Sequence, residues 1–140
     1  MVHALKEAWR VLVPRGILVD LRPLCIDVQL EILSPAGNES AGMVDMSPEI
    51  DLDIAADSAT RTVVREGFYK VLKRETFDFA YYWGTVRKFK EDLEKQWKDE
   101  VILPAQVLKQ ARALFKKHGN EARVRMRIRM RLTKFAKIKK

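Results

Sequence analysis

Arg123-Val-Arg-Met-Arg-Ile-Arg-Met-Arg-Leu132 is the stretch whose reading decides the fold. Five arginines, Arg123, Arg125, Arg127, Arg129 and Arg131, alternate there with Val124, Met126, Ile128, Met130 and Leu132. A strand repeats every two residues, so this order puts all five guanidinium groups on one face and all five apolar side chains on the other. The spacing predicts a long strand over 122–132 with one face against a core. Lys134, Lys137, Lys139 and Lys140 carry the basic character to the C-terminus.

Two uses of the charged face follow from its chemistry. A row of guanidinium groups suits phosphates, which predicts a possible nucleic-acid contact at Arg123, Arg125, Arg127, Arg129 and Arg131. The other use is internal: the face lies against carboxylates of the same chain, each cross-strand pair contributing less than about 1 kcal/mol. The charge layout serves both. The formal net charge is +8, yet residues 1–120 hold 18 Lys or Arg and 18 Asp or Glu, while residues 121–140 hold nine and one. Between Arg22 and Arg61 stand eight acids and no Lys or Arg, enough to offset the basic strand. At this level both uses stay open.

Outward from that strand, the chain alternates helices and strands. Leu5, Ala8, Trp9 and Leu12 form one stripe of a helix over 3–12, which Pro14 and Gly16 break. Ile17–Leu21 reads as a short strand, and 26–33 alternates as another, with Ile26, Val28, Leu30 and Ile32 opposite Asp27, Gln29 and Glu31. Ser34–Asn38 is a turn, and a hairpin returning through Gly42 to Met46 follows. The pattern over 36–51 is loose and predicts a flexible loop. A helix is expected over 54–73, a strand over 75–83, a helix capped by Thr85, and another opened by Pro104 and closed at Gly119-Asn120. The expected class is α/β or α+β, one mixed, partly antiparallel sheet flanked by helices, in a single domain over 1–140.

Composition bounds the rest. With 140 residues, 47% hydrophobic and 33% charged, the chain has the profile of a globular protein. No apolar run approaches the roughly 18 residues of a membrane span, and Lys6, Glu7 and Arg10 interrupt the N-terminal apolar positions, against a secretory signal. The single cysteine, Cys25, cannot form an intrachain disulfide. These features predict a cytoplasmic protein with no membrane partner.

Residues 4–23 run Ala-Leu-Lys-Glu-Ala-Trp-Arg-Val-Leu-Val-Pro-Arg-Gly-Ile-Leu-Val-Asp-Leu-Arg-Pro. This resembles a stretch of class I S-adenosylmethionine-dependent methyltransferases, in which a helix ending in Leu-x-Glu-x-x-Arg-Val-Leu-Lys-Pro-Gly-Gly leads into the fifth strand of the sheet. Leu5, Glu7, Arg10, Val11, Leu12, Pro14 and Gly16 match; Val13 stands for the usual lysine and Arg15 for the first glycine. The resemblance implies a C-terminal half of such a domain, its strands at 75–83 and 122–132 being the antiparallel pair that ends the sheet, with 26–46 inserted. The family holds its cofactor on the first half, through a glycine-rich loop and an acid ending the second strand. No Gly-x-Gly-x-x-Gly loop occurs in this sequence, so no catalytic or cofactor-binding residue carries over.

Other candidates are weaker. Asp51, Asp53 and Asp57 offer oxygen ligands, but acids at a helix start suit the helix dipole without a metal. His3 and His118 lack partners at zinc-ligand spacing, and Cys25 reads as a small buried hydrophobe. Phe77, Phe79, Tyr81 and Trp83 read as the core face of a strand, with Tyr82 exposed opposite them. The expected function is a methyltransferase-like C-terminal module, non-catalytic alone, with no cofactor or metal, acting as a homo-oligomer or with a partner protein. The alternative is a small nucleic-acid-binding protein that uses the arginine strand.

Overall fold

The computed structural model describes residues 1–138; Lys139 and Lys140, the last of the basic residues counted above, lie outside the described residues. The elements are α1 (Val2–Val11), β1 (Ile17–Pro23), β2 (Val28–Ser34), β3 (Gly37–Val44), a 3-10 turn (Ser47–Glu49), α2 (Ile50–Arg65), β4 (Tyr69–Trp83), α3 (Val86–Gln96), α4 (Ala105–His118), a second 3-10 turn (Gly119–Glu121) and β5 (Arg123–Lys137). The class is α/β as expected, with five strands in one sheet: the order is β1-β5-β2-β3, and β4 also pairs with β5. The β1–β5, β2–β3 and β2–β5 ladders all run antiparallel. The chain divides into two compact units, one of Met1–Leu24, Asp51–Phe77 and residues from Met130 on, the other of Cys25–Ile50 and Asp78–Arg129.

In the first unit β1 pairs with β5 from Ile17 opposite Ala136 to Pro23 opposite Met130. The core centres on Val63, Tyr69 and Phe135, with Leu5, Trp9, Leu12 and Leu18 packed against it. The helical stripe seen in the sequence of α1 is therefore the stripe that packs. Two polar tips in this cluster find backbone partners. The Tyr69 hydroxyl donates to the Leu5 carbonyl at 2.9 Å, and Trp9 Nε1 donates to the Ile138 carbonyl at 3.0 Å. Burial pushes the Tyr69 hydroxyl above its usual pKa. Between α1 and β1 the left-handed residue is Arg15 (φ 63°), not Gly16. Gly16 is needed for close approach instead: a Cβ there would sit 2.8 Å from the Val13 carbonyl oxygen.

The helix expected over 54–73 starts earlier and stops at Arg65, and residues 69–73 belong to β4. The stop is a Schellman motif. Phe68 N–H donates to the Val63 carbonyl and Gly67 N–H to the Val64 carbonyl, both at 3.0 Å, with Gly67 left-handed at φ 79°. Val71 and Leu72 continued the helical stripe in the sequence, and that periodicity masked the glycine. β4 is thus 15 residues long and begins six residues before the expected strand.

In the second unit β2 and β3 form the hairpin, from Val28 opposite Val44 to Ser34 opposite Gly37. Residues 36–51, read both as the hairpin's return through Gly42 to Met46 and as a loose loop, hold β3 and the first 3-10 turn. The pattern was loose because a β-bulge shifts the register between Leu30 and Glu31, which breaks strict alternation along β3. Asp45 and Ile102 exchange backbone hydrogen bonds at 3.0 and 2.9 Å just beyond the hairpin. Leu30, Ile32, Val124 and Met126 are fully buried, and α4 turns Val107, Ala111 and Leu114 inward. Thr85 caps α3 as expected, its hydroxyl accepting from Lys88 N–H at 3.1 Å.

The Schellman stop sets a measurable expectation. Gly67→Ala meets no atom within 4 Å, so its whole cost is the left-handed backbone, about 1 kcal/mol. Gly84, which also has open space around it and no positive φ, is the control. Urea unfolding is expected to show a lowered midpoint for Gly67→Ala and none for Gly84→Ala.

Candidate functional site on the arginine strand

β5 has the two faces that its sequence dictates as far as Ile128; beyond it Met130 and Leu132 are only half-buried, and the buried residues are Thr133 and Phe135, on the face that carries Arg131. Val124, Met126 and Ile128 are buried, while the arginines between them are partly or largely exposed. What the guanidinium groups meet differs along the strand. In the second unit Glu31 of β2 lies opposite Arg125 in the ladder. Arg125 Nε donates to Glu31 Oε2 at 2.8 Å and Arg127 Nη2 to Glu31 Oε1 at 3.2 Å. Glu31 is only 6% exposed, and such a carboxylate is tolerable because both its oxygens are engaged. Arg129 Nη1 donates to Asp78 Oδ1 at 3.0 Å, and Arg123 Nη1 to the Ala122 carbonyl at 2.8 Å.

The first unit carries the fifth arginine. Arg131 bonds the Asp57 carboxylate. Arg22 reaches the same carboxylate through Nη2 at 2.8 Å, Asp53 through Nη1 at 3.2 Å and Asp20 through Nε at 2.9 Å. Burial acts to raise the Asp57 carboxyl pKa, but hydrogen bonds from Arg22 and Arg131 and their charges outweigh it and hold it below the ordinary carboxylate range. In the sequence Arg22 marked only the border of the acidic segment; its role as the centre of three ion pairs depends on α2 lying beside β1.

So the basic face meets acids from the acidic stretch at Glu31 and Asp57, and an acid outside it at Asp78. Asp27 does not join them; its Oδ1 accepts from Met46 N–H at 3.1 Å. Of the three helix-start acids, Asp53 and Asp57 converge on the Arg22 guanidinium, which takes the place a cation would have. Among the described residues no group of three or more His, Cys, Asp or Glu side chains is placed to hold a metal ion. His118 bonds Glu39, which Lys117 also reaches, while His3 is exposed and Cys25 half-buried.

The aromatic row departs from expectation. Trp83 is buried and packs edge-on against Phe89 at 4.9 Å, but Phe79 and Tyr81 are 47% and 39% exposed. Helix α3 covers the end of β4 through Phe89, and the row continues past that cover. Tyr81 finds Trp97 instead, centroids 5.0 Å apart. Asp92 borders this aromatic surface, yet both its oxygens are used, by Trp83 Nε1 at 2.9 Å and Lys88 Nζ at 3.0 Å.

No protein-family model, curated protein or solved structure matches this chain. No helix among the described residues is long and apolar enough to cross a membrane.

The ion pairs carry two expected outcomes. Glu31→Gln leaves Arg125 and Arg127 short of a counter-charge at a buried position, and is expected to cost about 2–3 kcal/mol in urea unfolding at neutral pH. An unchanged midpoint would show that the pairs are ornamental. For Asp57 the folded pKa lies below the unfolded value of about 3.9, so its contribution is complete above that value and is lost as pH falls through the folded one. Stability is expected to drop on acidification below about pH 4, and the drop to be shallower in Asp57→Asn, which starts from a lower stability at neutral pH.

Proposed function

We propose that this chain is a methyltransferase-like C-terminal module, non-catalytic by itself, that works by self-association along β1. One observation carries the reading. β1 stands at the end of the strand order with β5 as its ladder partner. Its inward face is fully used: Leu18 joins the core, Asp20 accepts from Arg22, and Arg22 reaches Asp53 and Asp57 of α2. Its other face is apolar and bare, with Ile17, Val19 and Leu21 at 40%, 52% and 52% exposure. A strand edge with unpaired N–H and C=O groups beside an apolar face is a template for another strand, whose main-chain hydrogen bonds and buried side chains would stabilise the pair.

The methyltransferase likeness draws support from topology. The residues that carry it, 4–23, form helix, turn and strand in the order that the resemblance implies. β5 runs antiparallel beside β1 and pairs with β4, as befits a pair that closes such a sheet. The β2–β3 hairpin falls within 26–46, the stretch that the resemblance treats as inserted. The nucleic-acid alternative has less to draw on, because four of the five arginines on β5 already meet carboxylates.

Sedimentation equilibrium at tens of micromolar is expected to show a species above the 16.3 kDa of one chain. Val19→Lys, a charge on the bare face, is expected to return the mass to that of one chain with an unchanged circular dichroism spectrum. A wild-type chain that stays at single mass counts against self-association, and micromolar binding of S-adenosylmethionine by calorimetry would overturn the non-catalytic part. Nucleic-acid binding would instead give a log–log salt slope of about −4.5 for about five phosphates, flattened by the Arg125, Arg127 and Arg129 triple change to Gln. The ion pairs predict weak binding in both proteins, with a lowered melting temperature in the triple variant.

A further inference from the structure

Seven arginines of this chain, Arg10, Arg22, Arg87, Arg125, Arg127, Arg129 and Arg131, each meet a carboxylate. Arg61 and Arg65 of α2 and Arg74 of β4 have no acidic partner among the described residues, and all three are exposed. They nevertheless converge, because all three border one cavity of about 200 Å³ in the first unit. The floor and walls of that cavity are Val64, Val71 and the buried Phe135. Thr60 also lines it, but its hydroxyl is turned to the carbonyls of Ala56 and Asp57 at 3.1 and 3.0 Å. The slot therefore offers an apolar interior, and the three arginines are the only charged residues among those that line it.

Such a rim is not what folding by itself selects. Arg61 and Arg65 stand four residues apart on one helix, where like charges disfavour each other, and Arg74 adds a third from a strand. The negative end of the helix dipole accounts for Arg65, which sits in the last turn of α2, but not for Arg61 or Arg74. Guanidinium groups bind carboxylate and phosphate oxygens through paired N–H donors, and do so best beside a water-poor surface. We propose that this slot binds a small amphipathic organic anion, an aliphatic or aromatic group of about seven carbons with a carboxylate or phosphate head. The size follows from the volume, which is room for about seven waters at about 30 Å³ each. The tail lies on Val64, Val71 and Phe135, and the head sits among Arg61, Arg65 and Arg74. This site is independent of the β1 edge and stands or falls without it.

The test uses the full chain, with octanoate and octyl phosphate as probes, followed by calorimetry and amide chemical shifts. Saturable sub-millimolar binding of at least one probe is expected, with shifts concentrated at residues 60–65, 71–74 and 135. Octylammonium, with the same tail and the opposite charge, and acetate, with the head and no tail, are expected not to bind there. Replacing Arg61, Arg65 and Arg74 together with Gln is expected to weaken binding at least tenfold. Val71→Trp fills the slot while keeping all three charges, at a position already 38% exposed, and is expected to abolish binding. That second variant decides the matter if the triple change impairs folding. Equal affinity for octylammonium, undiminished binding in either folded variant, or no saturable binding of either anion would overturn the proposal.

Discussion

Guanidinium groups two residues apart on a strand stand about 7 Å from one another, inside the roughly 8 Å over which physiological salt screens charge. Five in a row on β5 would repel one another, and the strand would be a poor one, if nothing answered them. The rest of the structure is arranged around that answer. Glu31 spans Arg125 and Arg127, Asp78 takes Arg129, and Asp57 takes Arg131. With the charges met, the alternate face of β5 is free to bury Val124, Met126 and Ile128 in the second unit, while in the first unit the face that carries Arg131 goes on to bury Thr133 and Phe135. The same strand also provides the antiparallel partner for β1 and for β2. A single 15-residue segment thus sets both the sheet and the electrostatics.

The carboxylates that perform this task are few compared with the acids available. Of the eight between Arg22 and Arg61, Glu31 and Asp57 meet β5, and Asp53 meets Arg22. Asp27 and Asp45 are spent on backbone N–H groups at the end of the β2–β3 hairpin. Matching the −8 and +8 totals was therefore a sound guide to the principle and a poor guide to the pairs. Charge counts say that partners exist; ladder register and helix placement say which ones touch.

What the fold leaves unanswered is as informative as what it neutralises. The bare side of β1, the uncovered part of the aromatic row on β4, and the arginine-rimmed slot beside α2 are places where chain chemistry exceeds what its own packing uses. The titratable groups with lowered pKa values, such as Asp57, Asp92 and Glu39, owe them to structural hydrogen bonds. Perturbed acids of this kind mark ion-pair architecture.

The sequence alone determined the local elements, because their signals are local. Period-two alternation in β5 and β2, the apolar stripe and Pro14 stop of α1, the Thr85 cap and the Pro104–Gly119 bounds of α4 need only neighbouring residues, and the structure has them all. The class, helices with one sheet of strands, follows from that order. Where two local signals competed, the reading failed or split: a helical stripe through Val71 and Leu72 concealed the Gly67 stop, and a bulge left β3 read both as a returning hairpin strand and as a loop. Tertiary structure decided the remainder. Which acid meets which arginine, that Arg22 becomes a hub, that the aromatic row runs beyond its helical cover, and that Arg61, Arg65 and Arg74 border one slot all depend on residues distant in sequence. Ion pairing and burial fall off within a few ångströms, so they are fixed by how the elements pack.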